Sequence, residues 1–171
     1  MRWPFHRSPS RRGGDREVRN LPVLMSCAAG QICAPVKGRI VSEEEIPDDF
    51  YSIGFLGATC GVFPEEGILV SPFDGRVLSI AEEKHAISLE GPGGMLVLVH
   101  VGIGTVRMKG DGFCPEVSPG KKVRKGQLLM TFDREKIAKA DHSDCVVVIL
   151  SEPEKQEDLK VIPGKNQGVK G

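Results

Sequence analysis

Two histidines, His85 and His100, are the side chains of this 171-residue sequence whose type and spacing best suit chemistry. Each lies at one end of a β-prone run, and the runs flank the turn residues Gly91-Pro92-Gly93-Gly94. Side chains alternate faces along a strand. His100 therefore shares a face with Leu96 and Leu98, and His85 with Ile87 and Leu89. A hairpin centred between Pro92 and Gly93 sets His85 opposite His100, where Cβ atoms lie about 4.5–5.5 Å apart. A slip of one residue is the alternative register.

Neighbouring imidazoles have three uses. They can be structural groups hydrogen-bonded within a sheet. They can bind a metal, which wants a third ligand and preferably a carboxylate. Or one ring can attack phosphorus, since a neutral imidazole nitrogen is a good nucleophile near pH 7, while the other donates a hydrogen bond to the phosphoryl oxygens. The residues after His100, Val101-Gly102-Ile103-Gly104-Thr105, offer small side chains and backbone N–H groups that can approach an anion. His6, in the N-terminal stretch, and His142, in the polar stretch Ala140-Asp141-His142-Ser143-Asp144, are expected to be solvated.

The elements that position these rings read as β-structure. Apolar residues make up 40% of the chain but aromatics only 5%, so a core must come from Val, Ile and Leu. With 21 glycines and 12 prolines, short strands joined by tight turns are favoured over long helices. The runs are Gly38–Val41, Ile68–Val70, Arg76–Ile80, His85–Leu89, Met95–Val101, Lys121–Val123, Gln127–Phe132 and Val146–Leu150. Asp133 can cap a short helix over Arg134–Ala140. Such spacing predicts an all-β sandwich or barrel of mostly antiparallel strands with one or two short helical turns. A weak internal echo, Ala34-Pro35-x-x-Gly38-Arg39 against Ser71-Pro72-x-x-Gly75-Arg76, admits either common turn chemistry or two related halves of one barrel.

Charge and cysteine usage exclude other classes. Six arginines fall in the first 25 residues, expected to be a flexible basic tail, whereas residues 26–150 carry 13 Lys and Arg against 17 Asp and Glu. A mildly acidic body argues against nucleic acid as partner. Five cysteines, none in a C-x-x-C pair, support neither a disulfide framework nor a zinc ribbon, so buried thiols are expected. No run approaches the roughly 20 apolar residues that span a bilayer, and no apolar run follows the basic start. A cytoplasmic location is the expectation. The domain is expected over 26–162, with 163–171 a C-terminal tail.

The segment His100-Val101-Gly102-Ile103-Gly104-Thr105-Val106-Arg107-Met108-Lys109-Gly110-Asp111-Gly112-Phe113 resembles the active-site signature of the glucose-type enzyme IIA component of the bacterial phosphoenolpyruvate-dependent sugar phosphotransferase system. Lys84–Ser88, Pro72–Gly75, Ala34–Gly38, Gly120–Gln127 and Phe132-Asp133 match in the same order, so the likeness covers about residues 32–150. It implies a duplicated-hybrid-motif-like sandwich and a phosphohistidine relay without cofactor. The histidine-containing phosphocarrier protein would phosphorylate His100 at the tele nitrogen, and His100 would pass the group to a cysteine of an enzyme IIB domain of a membrane sugar permease. His85 would stabilise the phosphoryl group without carrying it. Asp48, Phe50, Tyr51, Phe55, Leu56, Leu98 and Val106 match the family's partner-docking disc.

The chain departs from the family pattern at three places. Glu83 stands where a threonine usually helps orient the first imidazole, Gly104 where an Asp or Asn is usual, and Gly57-Ala58-Thr59 where the family has Gly-Asp-Gly. Glu83 and Gly104 suit an alternative, a regulatory binding module of the same fold that docks cytosolic proteins with weak or no transfer. A metallohydrolase of related topology would need ligands where the chain has Leu89 and Leu98, so no metal is expected beyond an adventitious zinc at His85 and His100.

Overall fold

The computed structural model describes residues 21–27, 29–52, 57–151 and 160–161. Their strands are β1 (Val23–Cys27), β2 (Gly30–Cys33), β3 (Gly38–Ser42), β4 (Ala58–Pro64), β5 (Ile68–Val70), β6 (Gly75–Ile80) and β7 (Ala86–Glu90). They continue with β8 (Leu96–Val101), β9 (Phe113–Pro115), β10 (Lys122–Val123), β11 (Leu128–Phe132), β12 (Val146–Leu150) and β13 (Lys160–Val161). Two short helices, α1 (Asp49–Ser52) and α2 (Arg134–Lys139), and three 3-10 turns complete them. The main sheet runs β10-β6-β7-β8-β12-β4-β3, and two three-stranded sheets run β5-β11-β9 and β13-β1-β2. Every pairing is antiparallel. The architecture is the all-β sandwich expected.

β12 shows why the main sheet is the centre of the molecule. Its sequence, Val-Val-Val-Ile-Leu, is buried at all five positions. Val146, Val148 and Leu150 enter the large core with Ile87, Leu89, Val97 and Val99. Val147 and Ile149 enter a second cluster with Val41 and Ile46, against which Tyr51, Leu98 and Ile103 pack. A continuous apolar run is what a strand covered on both faces requires.

The internal echo is structural. The Cys33 N–H donates to the Pro72 carbonyl at 3.0 Å and the Val70 N–H donates to the Pro35 carbonyl at 2.7 Å. Both members of this reciprocal pair are 37 residues apart from their counterparts, the signature of a local two-fold relation. Gly38 and Gly75 are equivalent in it. A Cβ on either would fall 2.0 Å from the Phe63 carbonyl oxygen or 2.2 Å from the Glu90 carbonyl oxygen, so only glycine lets the paired backbones approach this closely.

Several expectations need correction. Pro92–Gly94 forms a three-residue connection closed by the Gly91 N–H to the Met95 carbonyl at 2.7 Å, with Gly93 left-handed at φ 65°. The hairpin is therefore centred on Gly93, and His100 pairs with Ala86 instead of His85. Strand β1 begins inside the stretch expected to be tail, with Leu24 and Met25 fully buried. β4 and β9 were not anticipated. Their glycine and prolines mask the alternation, and pairing with β12, β3 and β11 overrides it. α2 starts after Asp133 as expected, the carboxylate accepting from the Lys136 N–H at 3.1 Å. Cys33, Cys60 and Cys145 are buried thiols, whereas Cys114 is exposed.

Candidate functional site

The one-residue shift in the hairpin should send the two histidines to opposite faces, yet their rings meet. The reason is local. His85 lies outside β7, after the turn Ala81–Lys84, in which the Lys84 N–H donates to the Ala81 carbonyl at 2.8 Å. Lys84 is left-handed, with φ 62°, a conformation that is uncommon for residues other than glycine. This breaks strand alternation one residue before pairing begins. The His85 and His100 rings then pack edge to face, with centroids 4.7 Å apart and planes at 77°.

His100 is the penultimate residue of β8, paired with Ala86 on one side and Val147 on the other. Its Nδ1 lies 2.7 Å from the Gly102 carbonyl. A carbonyl can only accept, so Nδ1 carries the hydrogen and the neutral ring keeps its lone pair on Nε2. Gly102 is left-handed at φ 78°, and a Cβ there would fall 2.4 Å from Thr105 Cγ2 and 2.9 Å from the Ser143 carbonyl. The Gly102 and Ile103 N–H groups donate to the Cys145 and Ser143 carbonyls. Buried Thr105 closes the loop by donating Oγ1–H to the Val101 carbonyl at 2.6 Å. The carbonyl that fixes the tautomer is itself held in place.

Burial and the neighbouring imidazole push the His100 pKa down to about 4, against weaker opposite pulls from the Gly102 carbonyl and Asp48. Burial also lowers the His85 value, while the Glu83 carboxylate and main-chain carbonyl favour its charged form. His85 is only 7% exposed, and its Nδ1 is buried with no hydrogen-bond partner among the described residues.

Aromatic and apolar groups rim the pair. The Tyr51 ring lies 5.7 Å from His100, and Phe50 packs edge-on against Tyr51 at 5.6 Å. Asp48 accepts from the Phe50 N–H at 2.8 Å, which starts α1. Phe50 is 51% exposed and Val106 45% exposed, while Asp48, Tyr51 and Leu98 are half-buried. Phe55 and Leu56 lie outside the described residues, as does His6. Among the described residues no group of three or more His, Cys, Asp or Glu side chains could hold a metal ion. Leu89, at one position where a hydrolase would need a ligand, is fully buried in the core. His142 is the correction here. It is half-buried, with its ring against Gly104, and a polar flanking sequence carried no sign of that contact.

The described residues thus form an all-β sandwich in which the His85 and His100 imidazoles touch. The chain belongs to the family described as phosphoenolpyruvate-dependent sugar phosphotransferase system, EIIA 1, whose sequence model matches residues 30–156. It is a phosphotransferase component of that system. It is 35% identical over 133 residues to the glucose-specific EIIA component of Bacillus cereus, covering 78% of this chain and 81% of the relative. It is 40% identical over 131 residues to the glucosamine-specific EIICBA component of Bacillus subtilis, covering 77% of this chain but spanning only 21% of that longer relative. The glucose permease IIA of Mycoplasma capricolum has the same fold, with a TM-score of 0.68 and 27% identity over 71% of this chain and 79% of the other. Among the described residues no helix is long and apolar enough to cross a membrane.

Proposed function

We propose that His100 accepts a phosphoryl group on Nε2 from the histidine-containing phosphocarrier protein and passes it to a cysteine of an enzyme IIB domain during sugar uptake, in the cytoplasm. The hydrogen bond from His100 Nδ1 to the Gly102 carbonyl carries this reading, because it leaves Nε2 as the nucleophile. The donor's P–N bond breaks as a P–N bond to Nε2 forms. Nδ1 keeps its hydrogen, donated to the Gly102 carbonyl, and that bond stabilises the positive charge that develops on the ring. A low ring pKa keeps His100 neutral at working pH, the state that attacks. His85 donates to the phosphoryl oxygens. The chain needs no cofactor for either transfer.

Asp48, Phe50, Tyr51, Leu98 and Val106 form the docking disc in this proposal. The exposure of Phe50, which packs on the Tyr51 ring beside His100, supports it, since exposed apolar groups beside a reactive ring suit partner contact. An enzyme IIB partner is supported by relatives whose names join C, B and A parts in one component.

The test supplies phosphoenolpyruvate, enzyme I and the phosphocarrier protein, and measures acid-labile label. Wild type should be labelled, His100→Ala should not, and His85→Gln should accept label but fail to pass it to an enzyme IIB domain. Equal label on His100→Ala would overturn the assignment. Normal labelling of wild type without transfer to any enzyme IIB domain would identify a regulatory binding module instead.

A further inference from the structure

The loop that orients His100 packs against a third imidazole, His142. Backbone hydrogen bonds from Gly102 N–H to the Cys145 carbonyl, 3.0 Å, and from Ile103 N–H to the Ser143 carbonyl, 2.9 Å, lash residues 102–104 to the segment that follows α2. They set His142 against Gly104. A Cβ on Gly104 would lie 3.1 Å from His142 Nδ1 and 3.2 Å from its Cε1, so the ring occupies the space that a residue-104 side chain would need. Gly104 is left-handed at φ 72°, a conformation that Asn and Asp also tolerate. Backbone geometry alone therefore does not demand glycine there. A side chain there would oblige the imidazole above it to give by a few tenths of an ångström.

His142 is half-buried, leaving part of a ring with donor and acceptor capacity at the surface. Its loop neighbours place it at the rim. The Gly102 carbonyl, two residues before Gly104, holds His100, and Val106, two residues after, is exposed. A protein that reaches His100 over this loop passes the half-buried His142 seated on it. We infer that His142 is a specificity-determining residue, seated against Gly104 and hydrogen-bonding the protein that delivers the phosphoryl group. This rests on the phosphocarrier reading above.

The experiment measures initial rates of label transfer from the phosphorylated carrier protein to the full chain over a range of carrier concentrations. His142→Ala should raise KM for the carrier about five-fold, the scale of losing one interface hydrogen bond, with the saturating rate within about two-fold of wild type. His142→Gln, which keeps size and hydrogen-bonding capacity, should restore most of the affinity. Gly104→Asp should raise KM comparably by displacing the ring, and in the double variant the two effects should not add. Unchanged KM in both His142→Ala and Gly104→Asp overturns the inference while leaving the phosphocarrier reading intact. If His142→Ala does not fold, Gly104→Asp with His142→Gln decides. A wild-type chain that takes no label from the carrier overturns the reading and the inference together.

Discussion

The His85 carbonyl accepts a hydrogen bond from the Val101 N–H at 2.7 Å, so the first histidine faces the residue after the second one along the ladder. The rings nevertheless touch, because Lys84 leaves the extended region just before His85. Strand pairing holds the backbones in register, and a left-handed residue turns one side chain to meet the other. The pair is thus as stable as the turn before β7, which makes that turn and the Gly102–Thr105 loop the places where the site can be loosened without touching an imidazole.

Acid should unfold this protein partly through His100. Its pKa is about 4 in the folded chain, against the ordinary 6.5, so the folded state binds fewer protons than the unfolded state between those values. Stability must fall as pH drops through that window and level off below about 4. The loss between pH 8 and pH 5 should be about 2 kcal/mol. Urea unfolding midpoints at the two pH values check this. His100→Ala should lose correspondingly less, and an identical loss in the variant would assign the effect to other groups.

Glu83→Gln should lower the titration midpoint of His85. The carboxylate favours the protonated ring, and burial opposes it. With the charge removed, burial has less to oppose it. The imidazole C–H resonances, followed through a pH titration, report the change, and a midpoint that rose would exclude a carboxylate effect at His85.

Thr105→Val should cost about 1–2 kcal/mol while keeping the fold. The hydroxyl is fully buried and donates to the Val101 carbonyl at 2.6 Å, and valine preserves its shape without the donor. Thermal unfolding measures the loss. Hydrogen exchange at Gly102 and Ile103, whose N–H groups tie this loop to Cys145 and Ser143, should accelerate as well. Unchanged exchange would show that the loop is held without the threonine.

Gly38→Ala and Gly75→Ala should each destabilise the chain by more than about 2 kcal/mol, because the new methyl would meet a partner strand's carbonyl oxygen near 2 Å. Gly94→Ala serves as the control: nothing lies within 4 Å of its added Cβ, and only its φ of 76° opposes the change. Denaturation midpoints for the three variants should place Gly94→Ala nearest wild type.

Much of this was legible in the amino-acid order. Val146–Leu150 and Ile68–Val70 form strands with the bounds that their β-forming runs suggested, and Asp133 caps α2 as its side chain allows. The fold class and the family signature around His100 were readable for the same reason, since both reside in local residue types and short spacings.

What the chain order left open was set at longer range. Whether the Gly91–Gly94 turn holds two residues or three depends on which register best buries Ile87, Leu89, Val97 and Val99, and burial chose the odd one. That choice alone would have parted the histidines. Only the folded turn, pressing Lys84 into a left-handed conformation, returned His85 to His100. His142 reached Gly104 by the same kind of cause, because hydrogen bonds between segments some forty residues apart, absent from any local pattern, decide which side chains become neighbours.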